Sequence, residues 1–347
     1  MIIPLVLLLI LSIAVIYTSS AVLAIQQGIF ALIGITSYFS IRSLDYRSLK
    51  PLIIYFYVVV LVLLLITLLI GIETRGSTRW ISFGPINMQP SEFAKISLIL
   101  SLALFWSSNF PTWKNTCKSL LITLPFALIV FIQPDLGTAL TIIFIWLVTL
   151  FAANIDWLKI AVISLIGFII IPLTWIFLRD YQKQRILSFI FPAQDPLGSG
   201  YNVIQSTIAV GSGMFWGKGI GGGTQSHLQF LPEFRTDFIF AFMAEELGFL
   251  GSLILLGLFA VIFFFLFRML QKSKDRFGEL IIVGVLGMIL FQFLINIGMN
   301  IGILPITGIT LPLLSYGGSS ILTTMIALGL VSSVGKFGTK SKSFDMD

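Results

Sequence analysis

Only 15 acidic residues are spread over the 347 positions of the chain. Three of them fall in one short apolar stretch, Phe234-Arg-Thr-Asp-Phe-Ile-Phe-Ala-Phe-Met-Ala-Glu-Glu-Leu-Gly248. Asp237 stands at its mouth and Glu245 follows eight residues later. On a helix, that spacing puts Glu245 about 12 Å deeper and within about 80° of the same side. Asp237 and Glu245 can therefore border one cavity, whereas Glu246 points away and fits a packing role. Helix capping alone would explain Thr236 or Asp237, because a side-chain oxygen satisfies an orphan backbone N–H. It does not explain Glu245.

Three further groups carry polar side chains. Thr78-Arg79-Trp80 precedes Gln89-Pro-Ser-Glu-Phe-Ala-Lys95, where Glu92 lies three residues before Lys95 on one helical face. Pro90 suits the first turn of a helix, so a dipole-complementing Glu with a local ion pair is one reading of this group. The other is functional, because ionisable groups at or inside a membrane edge are expensive. Leu311-Pro-Leu-Leu-Ser-Tyr-Gly-Gly-Ser-Ser320 sets Ser315 among small residues. These either let helices approach closely or form a broken turn lining a cavity. Gly217-Lys-Gly-Ile-Gly-Gly222 has G-x-G-x-x-G spacing without a strand–turn–helix context, which rejects a dinucleotide site. Lys218 in that loop could still bind a phosphate, and His227 reads as a polar loop residue.

One well-placed carboxylate, several cations and an apolar surround suit group transfer from a lipid-linked phosphate. Asp237 could take the proton from an attacking hydroxyl. Arg79, Lys95, Lys218 or Arg235 could neutralise a pyrophosphate leaving group. A single carboxylate base with direct displacement implies inversion at the transferred carbon. A proton or ion relay would place ionisable groups nearer the midplane. Residue types and spacing name no substrate.

The elements that must position these residues are membrane helices. The chain is 57% hydrophobic and 10% charged, against about 25% charged in soluble domains, and its mean hydropathy is +1.03. This defines a polytopic membrane protein, all-α, with a single membrane domain over 1–347. Breaking the apolar runs at charges, prolines and glycine clusters predicts about ten transmembrane helices. They lie near 2–18, 21–41, 51–71, 91–108, 119–133, 136–153, 158–178, 238–267, 279–303 and 308–334, most of them close to the length of about 20 residues that crosses the hydrocarbon. Only Thr18-Ser-Ser20 and Gln26-Gln-Gly28 divide the first two runs.

Charge then sets the orientation. Arg42, Arg47 and Lys50, Lys114 and Lys118, Lys159, the Arg268–Arg276 cluster, and Lys336, Lys340 and Lys342 share one side, against Arg75 and Arg79 in the short loops of the other. The positive-inside rule makes both termini cytoplasmic. Residues 179–237 become one large extracytoplasmic loop. Its apolar clusters Phe189-Ile-Phe191, Val203-Ile204, Met214-Phe-Trp216 and Leu228-Gln-Phe-Leu231 predict short helices on the membrane surface.

The net charge of +6 is accounted for by membrane-flanking cations. No basic patch with interleaved aromatics points to nucleic acid. The single cysteine, Cys117, and the single histidine leave no intramolecular disulfide and no Cys- or His-built metal motif. A divalent cation remains an open cofactor. The N-terminal run lacks the basic n-region of a signal peptide and reads as an uncleaved span.

At these residues the sequence resembles the SEDS family (shape, elongation, division and sporulation). The matching stretches are Arg79-Trp80 with QPSEFAK (89–95), QPDLGTAL (133–140), GYNVIQSTIAVGSG (200–213), WGKGIGGGTQ (216–225), LPEFRTDFIFAFMAEELG (231–248) and NIGMNIGILPITGITLPLLSYGGSS (296–320). The resemblance implies a ten-span peptidoglycan glycosyltransferase that polymerises lipid II outside the cytoplasmic membrane. The family's essential Asp falls on Asp237, which would activate the acceptor's N-acetylglucosamine 4-hydroxyl. That hydroxyl would attack C1 of the donor's N-acetylmuramic acid, releasing undecaprenyl pyrophosphate and forming a β-1,4 link. The PSExxK pair falls on Glu92 and Lys95, beside Arg79, with an implied role at the donor pyrophosphate. The resemblance also implies a partner, a class B penicillin-binding protein whose transpeptidase cross-links the new strand, and no transpeptidase domain is expected in this chain. Phe234-Arg235 departs from the Ala-His that precedes the TD pair in many relatives. NIGMNIGILPITG and the short termini resemble the elongation branch more than the division branch. Two other readings remain, a lipid II transporter using a polar path through Gln292, Asn296 and Asn300, and a non-catalytic scaffold for the penicillin-binding protein.

Overall fold

A computed structural model describes residues 1–74, 77–84, 86–196, 198, 200–227 and 230–338. Arg75, Leu228, Gln229, Lys340 and Lys342, which figure in the reading above, lie outside these residues, as does the side chain of His227.

Apolar runs become helices because a backbone away from water must satisfy its own N–H and C=O groups. The first two runs form separate helices, α1 (Ile2–Ser19) and α2 (Ala21–Ser43), divided by the extended residue Ser20 (φ −165°, ψ 113°). A 3-10 turn over Tyr46–Leu52, capped by Asp45 accepting from the Arg47 N–H at 2.9 Å, leads into α3 (Ile53–Ile70). Three short antiparallel strands follow, which the hydrophobic pattern does not predict. They are β1 (Ile72–Thr74), β2 (Ser77–Phe83) and β3 (Ile86–Met88), in the order β1-β2-β3, with Ile72 opposite Trp80 and Asn87 opposite Ser82. Two of the strands are three residues long, too short for an alternating pattern to register.

Pro90 then opens α4 (Pro90–Ser108). Thr112 caps α5 (Trp113–Ile132), its hydroxyl accepting from the Asn115 N–H at 3.3 Å, and Asp135 caps α6 (Leu136–Ala152). After α7 (Trp157–Phe177), the long loop carries three short helices, α8 (Asp180–Ile190), α9 (Tyr201–Ser212) and α10 (Thr224–His227). The chain ends in α11 (Ile239–Lys272), α12 (Arg276–Asn300) and α13 (Gly318–Phe337).

A helix occupies each of the ten expected positions. Among the described residues, seven segments are long and apolar enough to cross a membrane: Ile2–Ser19, Ala21–Ser43, Tyr46–Ile70, Trp113–Ile132, Ile239–Lys272, Arg276–Asn300 and Gly318–Phe337. The last expected span, 308–334, is corrected. Its helix starts at Gly318, and residues 301–317 are irregular chain. Gly302 and Gly308 adopt φ of 75° there, and Pro305 and Pro312 lack the N–H that a helix would need.

The chain divides into two compact units, the first Met1–Ala31, Phe168–Ile262 and Gln292–Gly317, the second Leu32–Gly167, Phe263–Phe291 and Gly318–Asp347. In the first, Leu5, Leu8, Leu9 and Ile16 of α1 and Phe242 and Phe259 of α11 are fully buried. In the second, Tyr38, Tyr46, Phe126 and Phe277 are, and the Tyr38 hydroxyl meets Ser332 Oγ at 2.7 Å. Many Leu, Ile, Val and Phe side chains elsewhere are exposed, as on helices whose solvent is lipid.

Candidate active site

The candidate residues fall into two groups, one in each unit. In the first unit, Arg235, Thr236 and Asp237 form a turn ahead of α11, and each of their carbonyls is held from the irregular segment or from α12. The Tyr316 N–H donates to Arg235 O at 2.8 Å. Ser315 Oγ donates to Thr236 O at 2.7 Å and accepts from the Leu311 N–H at 2.8 Å. Asn296 Nδ2 and Asn300 Nδ2 both donate to Asp237 O, at 2.9 and 3.0 Å. Asn300 Oδ1 also accepts from the Ala241 N–H at 3.0 Å, closing the first turn of α11. Asn296 Nδ2 donates to Ile309 O at 2.7 Å as well.

This lattice explains why the chain can leave the helical path here: every freed carbonyl finds a donor. It fixes the backbone of Asp237 while the residue stays half-buried. Ser315, a candidate for substrate binding, is 2% exposed, and its hydroxyl is engaged with backbone on both sides. Arg235 donates from Nε to Ser19 Oγ at 2.9 Å, and its guanidinium lies 4.5 Å from the centre of the Phe234 ring. Asn296 and Asn300, which a transport path would require as pore-lining groups, are fully buried and bonded to backbone.

Glu245 and Glu246 lie where α11 is broken. Gly248 is non-helical (φ 65°, ψ −160°), and the loop after α9 inserts into the break. The Phe249 and Leu250 N–H groups donate to Met214 O and Phe215 O at 2.8 and 3.2 Å. The carbonyls of Glu245 and Glu246 accept instead from Lys218 N and Gly219 N at 3.0 and 3.1 Å. The approach is so close that a Cβ on Gly248 would meet Gly217 N at 2.2 Å.

The side chains tie the same loop. Glu245 Oε1 accepts from Lys218 Nζ at 2.9 Å, Thr224 Oγ1 at 3.2 Å and Gln225 N at 3.0 Å. Glu246 accepts from the Gly221 N–H at 2.9 Å and from Thr18 Oγ1 at 3.3 Å. Lys218 and Glu245 thus meet. Asp237 and Glu245 occupy different settings, one in a half-buried turn, the other fully buried beneath the Lys218 loop.

In the second unit, Lys95 Nζ donates to Glu92 Oε1 at 2.7 Å, and Thr323 Oγ1 to Glu92 Oε2 at 3.1 Å. Both charged residues are buried, at 5% and 2% exposure for Glu92 and Lys95, so the pair survives only because each compensates the other. Arg79, on β2, is half-buried. It donates to the Pro134 carbonyl and lies 3.8 Å from Asp135. Asp135 in turn accepts from Thr138 N at 3.1 Å, Thr138 Oγ1 at 2.9 Å and Gln89 Nε2 at 3.2 Å. Asp135 lies in the stretch QPDLGTAL, where the family resemblance gives it no role. Its signal was an Asp three residues before a Thr, just ahead of an apolar run, which is a helix N-cap pattern.

Among the described residues, no three His, Cys, Asp or Glu side chains gather as a metal site. Arg185, on α8, was also missed: an ideal Cβ on Gly308 would lie 3.5 Å from Arg185 Nη1 and 3.6 Å from Asp237 Oδ2. No periodicity or motif marks an arginine inside a long loop.

A helical membrane protein with this turn, this broken helix and these buried ion pairs is matched over residues 1–340 by the family model of FtsW, RodA and SpoVE, described as a cell cycle protein. The chain belongs to this family, the SEDS proteins. Among its relatives, the peptidoglycan glycosyltransferase MrdB of Escherichia coli strain K12 is 42% identical over 284 residues, covering 81% of this chain and 76% of that one. A solved structure described as the structural coordination of polymerization and crosslinking by a peptidoglycan synthase complex matches with a TM-score of 0.84 at 32% identity, over 98% of both chains. The rod shape determining protein RodA of Thermus thermophilus matches with a TM-score of 0.74 at 28% identity, over 98% of this chain and 97% of that one.

Proposed function

We infer that this chain is a peptidoglycan glycosyltransferase that polymerises lipid II into β-1,4-linked strands during cell elongation. Asp237 is the general base. The observation that carries this role is the half-buried Asp237 on a turn whose three carbonyls are each held by a side chain or backbone donor. A base acts only when it is held within hydrogen-bond reach of the proton it takes, and a fixed backbone with a partly open side chain meets that need. Asp237 removes the proton of the acceptor 4-hydroxyl. The oxygen then displaces undecaprenyl pyrophosphate from C1 of the donor with inversion.

The remaining candidates divide by exposure. Arg79 and Lys218 keep 20% and 27% of their side-chain surface open, which suits them to neutralise a departing pyrophosphate. Lys95 and Glu92, buried together, shape the donor site instead. In this reading all ten long helices cross the cytoplasmic membrane, both termini are cytoplasmic, and 179–237 faces outward with the active site. A class B penicillin-binding protein supplies the cross-linking.

The test is polymerisation of labelled lipid II by the purified chain with its partner, comparing wild type with Asp237→Asn. Polymer from wild type and none from a folded Asp237→Asn protein is expected. Polymer from both would move the base elsewhere, and polymer from neither would return the transport and scaffold readings.

A further inference from the structure

We propose that Arg185 binds the acceptor sugar beside Asp237, donating a hydrogen bond to the hydroxyl next to the one that attacks. The proposal rests on Asp237 being the base. The two side chains come from segments more than fifty residues apart yet meet at Gly308, whose absent side chain leaves open the space between them. The contacts at that position put the guanidinium and the carboxylate within about 7 Å of each other. Both groups therefore face one space no wider than this, and neighbouring hydroxyl oxygens entering it can each bond to one side at about 2.9 Å.

Three features hold the arrangement in place. One amide, Asn296 Nδ2, bonds both Asp237 O and Ile309 O, so the turn carrying the base and the residue after Gly308 are tied together. Gly308 has φ 75°, a left-handed conformation that a residue with a Cβ rarely adopts. Arg185 lies on α8 one turn after Tyr181, its guanidinium 5.6 Å from the centre of that ring. Stacking orients the planar fork while leaving its N–H edge available, and Arg185 is itself half-buried.

The chemistry separates Arg185 from the cations assigned to the leaving group. In an inverting displacement the departing oxygen lies across the reacting carbon from the nucleophile. A cation that shares one small gap with the base is on the nucleophile's side. A carboxylate and a guanidinium flanking vicinal hydroxyls fit a saccharide, with one hydroxyl donating to Asp237 and its neighbour accepting from Arg185.

The experiment is a cycle of protein and substrate changes in the complex of the chain with its penicillin-binding partner. Initial rates are measured with intact acceptor and with acceptor lacking the N-acetylglucosamine 3-hydroxyl, for wild type and Arg185→Gln. In wild type the deoxy acceptor should cost about 10- to 100-fold, as loss of a charge-assisted hydrogen bond does. In Arg185→Gln the two acceptors should react at similar, lowered rates. Equal discrimination in both proteins would overturn the proposal, and so would an Arg185→Gln protein with wild-type rates.

Gly308→Asn provides an independent route should Arg185→Gln fail to fold, since Asn tolerates the left-handed conformation while its side chain fills the gap. It should lose turnover with little change in unfolding temperature, and full activity would count against the proposal. An active Asp237→Asn protein would sink the base while the cycle still reported on Arg185.

Discussion

Replacing Gly248 with alanine tests whether the break in α11 is needed for catalysis. A residue held in so sparsely populated a backbone region costs about 1–3 kcal/mol, and Gly248 sits at φ 65°, ψ −160°. The added Cβ would also lie 2.2 Å from Gly217 N and 2.8 Å from Phe215 O, backbone atoms that cannot rotate aside. The alternative is for the loop to leave the break. That forfeits the four bonds linking Lys218, Gly219, Phe249 and Leu250 to their cross-chain partners, while a healed helix regains two. At about 0.5–1.5 kcal/mol net per bond, the balance is a loss of about 1–3 kcal/mol. The backbone contributions of the two routes are therefore similar, and expulsion also strips the buried Glu245 of Lys218, Thr224 and Gln225, a further loss of about 3–5 kcal/mol.

Turnover should fall further than stability, because expelling the loop removes Lys218 from Glu245. If the departing charge loses even one stabilising contact, the rate drops about tenfold for each 1.4 kcal/mol. Thermal unfolding of the detergent-solubilised chain and lipid II polymerisation should be read on the same preparation. A Gly248→Ala protein with wild-type unfolding temperature and wild-type turnover would refute the idea that loop and helix are locked together.

Asn300→Ala orphans the Ala241 N–H, at about 1–3 kcal/mol, and loosens the Asp237 carbonyl. We expect kcat to fall with KM for lipid II little changed, and a normal kcat would show that other contacts place the base. Lys95→Ala leaves Glu92 buried without its cation, a loss of about 3–5 kcal/mol. Pairing Lys95→Met with Glu92→Leu should restore the unfolding temperature and leave polymerisation weak. A fully active double variant would give the pair a structural role alone.

The parts of the fold written in contiguous residues were legible, and those written in distant ones were not. Ten apolar runs give ten helices because each helix satisfies its backbone within itself. Even the narrow division at Ser20 follows from polar residues adjacent in sequence. The pairing of Glu92 with Lys95 is legible for the same reason, lying three residues apart on one helix. By contrast, Glu-Glu-Leu-Gly-Phe keeps a helical pattern across Gly248, and only the approach of Gly217 makes a break preferable. Asn300 reaches Asp237 across 63 residues, a contact no local period encodes. The irregular chain at 301–317 reads largely as helix in the sequence, because Leu311–Leu314 is apolar and the prolines are well separated. Family motifs carried the site to Asp237, and geometry alone brought Arg185 beside it.

Several of the polar side chains buried in this apolar protein hold irregular backbone. Non-helical chain surrounded by apolar groups is tolerated only where its N–H and C=O groups find partners. Here many of those partners are side chains: Ser315, Asn296 and Asn300 beside the Tyr316 N–H for the turn at 235–237, Glu245 and Glu246 for the glycine-rich loop. A continuous α11 with apolar residues at 245 and 246 would avoid burying two carboxylates, and it would have no place for Lys218 and no fixed turn before the helix. The two carboxylates are therefore better explained by what they position than by what they stabilise. On the proposed function the three acids of this stretch do different work: Asp237 takes the proton, while Glu245 and Glu246 hold the loop that carries Lys218.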